Sequence, residues 1–313
     1  MLSRRNVRIK VMQTLYAANR NGQLTLRAVQ QQYQRLVQRS FDLYLLNVLI
    51  LIRVAEYARQ DKARRENKLL PSDEDKAFRP HLADNVMIQS LSKHPALTRA
   101  FSKAQLMGKL DADIIRNLYI EFAQQEEDYL AYATSTEHSP EVHREKVLSL
   151  YKFLINHDSF VDLVEDQFPL WSDDKSLVVG AMKKTIKSLP AEDDFLDAYE
   201  PADETVKDFG EALLTKVIEA DQELLNLIEP TLKNWDADRV AILDMILIKM
   251  ALSEMLHFPT IPTKVTLNEF VELAKQYSTD KSKDFINGIL DRLLKQLTDD
   301  GLINKKGRGL VDE

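Results

Sequence analysis

An all-helical fold is what this sequence predicts, and three observations predict it. Only eight of the 313 residues are glycine and ten are proline. Leu, Ala, Lys, Glu and Gln abound, and these side chains lose little freedom on entering a helix. Apolar residues recur at three- and four-residue spacing along almost the whole chain.

The elements follow in order. Residues 4–20 predict a first helix, with Val7, Val11 and Leu15 at four-residue spacing and Ser3 as its cap. Residues 25–60 form a long helical stretch with a break near Arg39–Ser40, and residues 62–80, charged and carrying two prolines, predict a loop. Helices are then expected at 82–93, 95–107, 111–133, 141–157 and 173–188. The acidic, proline-bounded segment 189–202 is expected as a connector, followed by a helical block from Asp203 to Leu297. The tail after 298 is glycine-rich and expected to fray. No period of 20–50 residues repeats, which disfavours a solenoid.

Charge is unevenly placed. Residues 1–41 carry eight positive charges and no negative ones, since the first acid is Asp42; the net charge of −7 therefore leaves −15 on the rest. Arg4, Arg5, Arg8 and Lys10 fall within seven residues. Cations in the first turn oppose the helix macrodipole, at a cost of roughly 0.3–1 kcal/mol each. Helix formation does not call for them. A polyanion partner is one reading of this end, and a solvated basic terminus is the other.

Several chemistries are disfavoured. There is no cysteine, which excludes disulfides, cysteine–zinc sites and thiol catalysis and fits a reducing cytoplasm. The longest apolar run, Leu43–Ile52, contains Asn47 and is too short to span a bilayer. The basic start lacks the apolar stretch of a signal peptide. No HExxH, P-loop or GxGxxG occurs, and His138 and His143 do not share a helix face. No catalytic residue, metal or cofactor is expected, and the acids of 191–204 predict a solvated face.

The sharpest local signals lie near the end. In PTKVTLNEFVELAK, Thr266 and Glu269 have capping-box spacing, with Val265 and Phe270 at staple positions. Upstream, RVAILDMILIKMALSEML (239–256) is apolar on nearly all sides and predicts the central helix of a bundle. Downstream, KDFINGILDRLLKQL sets Phe285, Ile289 and Leu293 on one stripe. Gly288 inside that helix costs about 1 kcal/mol relative to alanine, for which close approach of another backbone is the expected reason.

This combination resembles the C-terminal part of the NusB family of transcription antitermination factors. The matching features are the apolar helix, the Pro-x-Lys-Val-x-x-Asn-Glu helix start and the Phe-Ile-Asn-Gly-Ile-Leu-Asp segment at 285–291. RRNVRIKVMQTLY resembles the arginine-rich first helix of the family, with its Leu-Tyr at 15–16. The resemblance covers 1–22 and 203–298. It implies that 23–202 is a helical insertion, connector 189–202 included, between the first helix and the rest of the core, with 299–313 a flexible tail.

What the resemblance implies is a non-enzymatic, cytoplasmic RNA-binding protein built as two three-helix bundles. It would bind single-stranded box A-type RNA in ribosomal RNA leaders together with the small ribosomal protein NusE, and help the transcription elongation complex resist termination. Arg4, Arg5 and Arg8 match the family's RNA-contacting arginines, and Asn6 replaces another arginine usual there. Phe285 matches an aromatic near bound RNA, or else fills the bundle core. Lys281 stands where the family often has an acid and would partly offset Asp284. Tyr16 and Asp244 match positions facing the ribosomal protein, or else make ordinary internal hydrogen bonds. A helical interaction scaffold that has lost RNA binding, with its activity in 23–202, is the alternative; an unrecognised helical enzyme in that segment is the third.

Overall fold

The computed structural model describes residues 1–22, 25–232 and 239–306. Every regular element among them is a helix: α1 Arg4–Asn21, α2 Leu26–Glu66, α3 Asp73–Ala77, α4 His81–Asp84, α5 Val86–Ser92, α6 Pro95–Lys103, α7 Ala112–Gln125, α8 Tyr129–Thr134, α9 Pro140–Leu154, α10 Asp158–Gln167, α11 Trp171–Ser188, α12 Ala212–Glu219, α13 Asp221–Ile228, α14 Ile242–His257, α15 Thr263–Tyr277 and α16 Ser282–Asp299. Two 3-10 turns, Phe195–Ala198 and Glu229–Thr231, and a π-helical stretch, Glu204–Glu211, complete the set. The all-α expectation holds. No described helix is long and apolar enough to cross a membrane.

The chain forms two compact units. One is Gln38–Glu200 with Met1; the other is Leu2–Val37 with the residues from Pro201 onward. Residues 26–37 thus pack in the second unit, although the expected insertion starts at 23. Val29, Tyr33 and Val37 are buried there, and the Tyr33 hydroxyl donates to the Val206 carbonyl at 2.8 Å. Helix α2 is unbroken at Arg39–Ser40. Ser40 Oγ donates to Asp174 Oδ2 at 2.7 Å and Arg39 Nη2 to the Gln167 carbonyl, so both polar side chains are satisfied without a kink.

The first unit has its own core, running from Phe41 to Tyr199 and including Tyr44, Tyr119, Phe122, Tyr151 and Trp171. Local capping chemistry divides its helices more finely than periodicity predicts. Asn85 ends α4 and starts α5: its amide donates to the His81 and Leu82 carbonyls while its Oδ1 accepts from Ile88 N. Within the expected loop 62–80, Ser72 and Asp75 form a capping box that starts α3. Glu126 separates α7 from α8, its carboxylate taken up by Lys146 Nζ at 2.7 Å and Ser149 Oγ at 2.8 Å.

Three histidines gather beside Tyr132 in this unit. The ring centroids of His81, His138 and His143 lie 5.1–6.1 Å apart, and His138 stacks on Tyr132 at 4.6 Å. His81 and His138 each hydrogen-bond a backbone carbonyl, and His143 Nδ1 pairs with the Tyr132 hydroxyl at 2.8 Å. Burial, and then His138 and His81, push the His143 pKa down.

In the second unit α14 is central, packing against α1, α12, α13, α15 and α16, while α1 also lies along the π-helical stretch. Two expectations for this unit are corrected. Helix α15 begins at Thr263, one turn before the expected capping box, and Thr266 donates inward to Glu254 Oε1 at 2.7 Å. Val265 is exposed, so the staple with Phe270 does not form. The close approach expected at Gly288 occurs at Gly210 instead: a Cβ there would collide with the Tyr33 hydroxyl and Val7 Cγ1. The tail expectation falls partly on 307–313, outside the described residues. Before them, Lys305 Nζ donates to the Glu254 and Phe258 carbonyls at the end of α14, which also accept from the Phe258 and Ile261 amides.

Candidate nucleic-acid interface

Helix α1 starts as its sequence requires. Ser3 Oγ accepts from Asn6 N at 3.4 Å and Ser3 N donates to Asn6 Oδ1 at 3.1 Å, a reciprocal cap. This gives Asn6 a structural task where the family resemblance implies arginine.

The three arginines of this turn have different fates. The side chains of Arg4 and Arg5 are 46% and 41% exposed. Their nearest acids, Glu204 and Glu269, stand 3.9 Å away, and such loose exposed pairs contribute little. Both guanidinium groups remain available to a polyanion. Arg8, expected at RNA, is instead 3% exposed. Its Nε and Nη2 donate to the two carboxylate oxygens of Glu254 at 2.8 Å each, with Glu269 3.6 Å from Nη1. The guanidinium also lies 5.1 Å from the Phe209 ring centroid and 5.9 Å from that of Phe270. Its charge is consumed internally, so Arg8 fixes the position of the turn that carries Arg4 and Arg5.

The remaining sequence-derived candidates lie on α14, α16 and the far end of α1. Lys281 is exposed at the start of α16, and Phe285 is half-buried one turn further on. Asp244 is buried. It accepts from Ser282 Oγ at 2.7 Å and from Ser278 Oγ, which fastens α14 to the α15–α16 turn. Of its two expected roles, the internal hydrogen bond is the one observed. Tyr16 is exposed, with its hydroxyl 3.5 Å from Arg20 Nη1. Beside it opens a mainly apolar groove of about 440 Å³, lined by Leu15, Ala18, Val217, Ile242, Met245 and Ile246. Asp221 and Lys249, paired at 2.6 Å, also line it. Among the described residues no group of three or more side chains could hold a metal ion.

Two residues take no role from the motifs themselves. Glu254 is fully buried and joins α1, α14 and α15 through Arg8 and Thr266. Its signal was a lone acid in the apolar run MALSEML, which demands a buried partner. Lys264 is exposed in the first turn of α15, where, as with Arg4 and Arg5, the macrodipole disfavours a cation.

The family model described as the NusB family matches residues 177–295, from within α11 into α16. Three relatives bear the name "Transcription antitermination protein NusB". The protein of Chloroherpeton thalassium is 43% identical over 111 residues, 36% of this chain and 53% of the relative. That of Salinibacter ruber is 40% identical over 109 residues, 35% of this chain and 68% of the relative. That of Natranaerobius thermophilus is 38% identical over 112 residues, 36% of this chain and 81% of the relative. The chain thus spans about half the length of the first and more than two thirds of the other two. No solved structure matches. The matched range excludes α1, which nevertheless packs on α14 and α12 within it. On this coverage and identity, the chain belongs to the NusB family.

Proposed function

We propose that the protein is a transcription antitermination factor that binds single-stranded box A-type RNA of ribosomal RNA leaders, acting as a binding protein together with the small ribosomal protein NusE. The observation that carries this reading is the exposure of Arg4 and Arg5 on a turn that Arg8–Glu254 anchors, at a place where helix energetics disfavours cations. Phosphates favour such a surface, while an aromatic such as Phe285 can stack a base. The acidic remainder of the chain weakens attraction for RNA, so a basic partner supplies the missing positive surface. The apolar groove beside Tyr16 is the docking place we assign to that partner.

The test is a salt titration of RNA binding, with and without the ribosomal protein, for the wild type and an Arg4→Ala/Arg5→Ala variant. Each lost phosphate contact flattens the log–log slope by about 0.7 for single strands. The double variant should therefore lose up to about 1.4 and bind every sequence more weakly. An unchanged slope removes α1 from the RNA site and leaves the scaffold reading, in which the NusB-like unit carries no RNA.

A further inference from the structure

Between Asp84 and Asp111 the sequence contains no acid, although acids outnumber bases in residues 38–200 as a whole. Lys93, Arg99, Lys103 and Lys109 fall in that stretch, and all four are exposed. Lys93 Nζ donates to Gln89 Oε1 at 2.9 Å. Among the described residues no acid forms a salt bridge with Arg99, Lys103 or Lys109. Arg99 and Lys103 stand one turn apart on α6, about 6 Å along its axis, and like charges at that spacing repel. The macrodipole favours Lys103 in the last turn, but nothing in the helix calls for Arg99.

The fold holds these cations in place. Helix α6 buries Leu97 and Phe101 and leaves Arg99, Ser102 and Lys103 outside. The loop after it is pinned by the buried Leu106, whose amide donates to the Phe101 carbonyl at 3.0 Å, so Lys103 and Lys109 flank a fixed turn. Arg39, also exposed, joins them from α2. Its Nη2 donates to the Gln167 carbonyl at 2.9 Å, and its guanidinium lies 5.4 Å from the Phe168 ring centroid. Gln167 Nε2 in turn donates to the Lys109 carbonyl at 3.1 Å, which ties the loop to Arg39. Burial raises the Asp42 pKa, while the Gln38 amide and then Lys109, Arg39 and Lys103 pull it down. Cations from three segments thus gather around one half-buried carboxylate. With the Phe101 ring inside, the outer face of α6 offers charge and a hydroxyl but no stacking surface.

We propose that Arg39, Arg99, Lys103 and Lys109 form a contact on the first unit for the phosphate backbone of single-stranded RNA, blind to base sequence. Separate cations in a row, with the Ser102 hydroxyl between two of them, match a repeating chain of phosphates. The face lacks the buried aromatic anchor on which protein interfaces are built, which favours RNA over an acidic protein. The inference rests on the RNA-binding reading above and adds a contact that is separate from the α1 turn.

The experiment compares the full chain with Arg99→Gln/Lys103→Gln/Lys109→Gln and with Arg4→Ala/Arg5→Ala. Arg39 is left in place because it also holds Gln167. The control for net charge is Lys62→Gln/Lys76→Gln/Lys152→Gln, three exposed lysines of the same unit, two of them paired with Glu66 and Asp73. Binding is read in a salt titration by anisotropy of fluorescein-labelled oligouridylate and of a mixed-sequence single strand of equal length. The 99/103/109 variant should flatten the log–log slope by up to about 2 and weaken both RNAs more than about tenfold at low salt. The control should keep the wild-type slope, and both triple variants should keep Tm within about 1–2 °C. Equal flattening in the control assigns the effect to net charge and overturns the proposal. So does a wild-type slope in the 99/103/109 variant while the Arg4/Arg5 variant loses affinity, a result that leaves the RNA reading standing. If that variant keeps its RNA slope but loses binding to poly-L-glutamate, the surface belongs to an acidic protein and the proposal falls. A wild-type chain that binds no RNA, with or without the ribosomal protein, removes both.

Discussion

Arg8 and Glu254 face each other through two 2.8 Å hydrogen bonds across 246 residues of sequence, with both side chains buried. The pair joins the first helix to the central one. Removing one partner leaves the other charge buried and unpaired, at a cost of about 3–5 kcal/mol. Glu254→Leu alone should therefore lower the urea midpoint sharply. Combined with Arg8→Met it should recover most of the loss, as apolar replacements of buried pairs do. A double variant no better than the single one would show that the pair is not what holds α1 in place.

Gly210 should tolerate no side chain. Gly210→Ala forces a methyl group against Tyr33 and Val7 and should cost about 1–3 kcal/mol or more, read by thermal or urea unfolding. Tyr33→Phe removes the colliding hydroxyl but also the bond to the Val206 carbonyl, so the combined variant should be less destabilised than the two single costs added.

Acid should weaken the first unit. Burial, then His138 and His81, hold the His143 pKa below its usual value, so the unfolded chain takes up a proton there before the folded one does. That contribution is fully present above about pH 6.5 and is lost as pH falls below it. His257, also depressed chiefly by burial, acts in the same direction in the second unit. Between pH 7.5 and 5.5, Tm should fall, and His143→Gln should fall less steeply over that interval. An equal slope in the variant assigns the effect elsewhere.

The groove beside Tyr16 can be tested apart from the RNA surface. Ile242 lines it and is 44% exposed, so Ile242→Glu should leave Tm within about 1–2 °C. The same change should weaken binding of the ribosomal protein at least tenfold, measured by calorimetry, without altering the salt slope for RNA.

Much of the fold was legible because it is local. Ser3 as a cap, Val7, Val11 and Leu15 as the inner face of α1, and the all-round apolar α14 follow from spacing and composition alone. Arg8 was misplaced because charge was read without phase. It sits three residues before Val11 and seven before Leu15, on the buried stripe, where only an internal acid could satisfy it. The capping box at Thr266 and Glu269 was misread because α15 begins a turn earlier, at Thr263, and Thr266 donates to the buried Glu254 instead. Phe285 and Lys281 stood out in the sequence, but the space above Gly288 and the grip of Arg292 on Thr231 belong to tertiary structure.

The pairing of Arg8 with Glu254 also bears on the order of events at the ribosome. At about 5–20 residues per second, the partner of Arg8 is made some 12–50 s after Arg8 itself. For that interval the first helix cannot reach its buried state. Its arginines, positively charged and without their acid, wait in the open beside a nascent chain, a messenger and ribosomal RNA. The whole first unit can close meanwhile, since its core is drawn from residues 41–199. The first helix, made before the whole of the first unit, is thus among the last to dock.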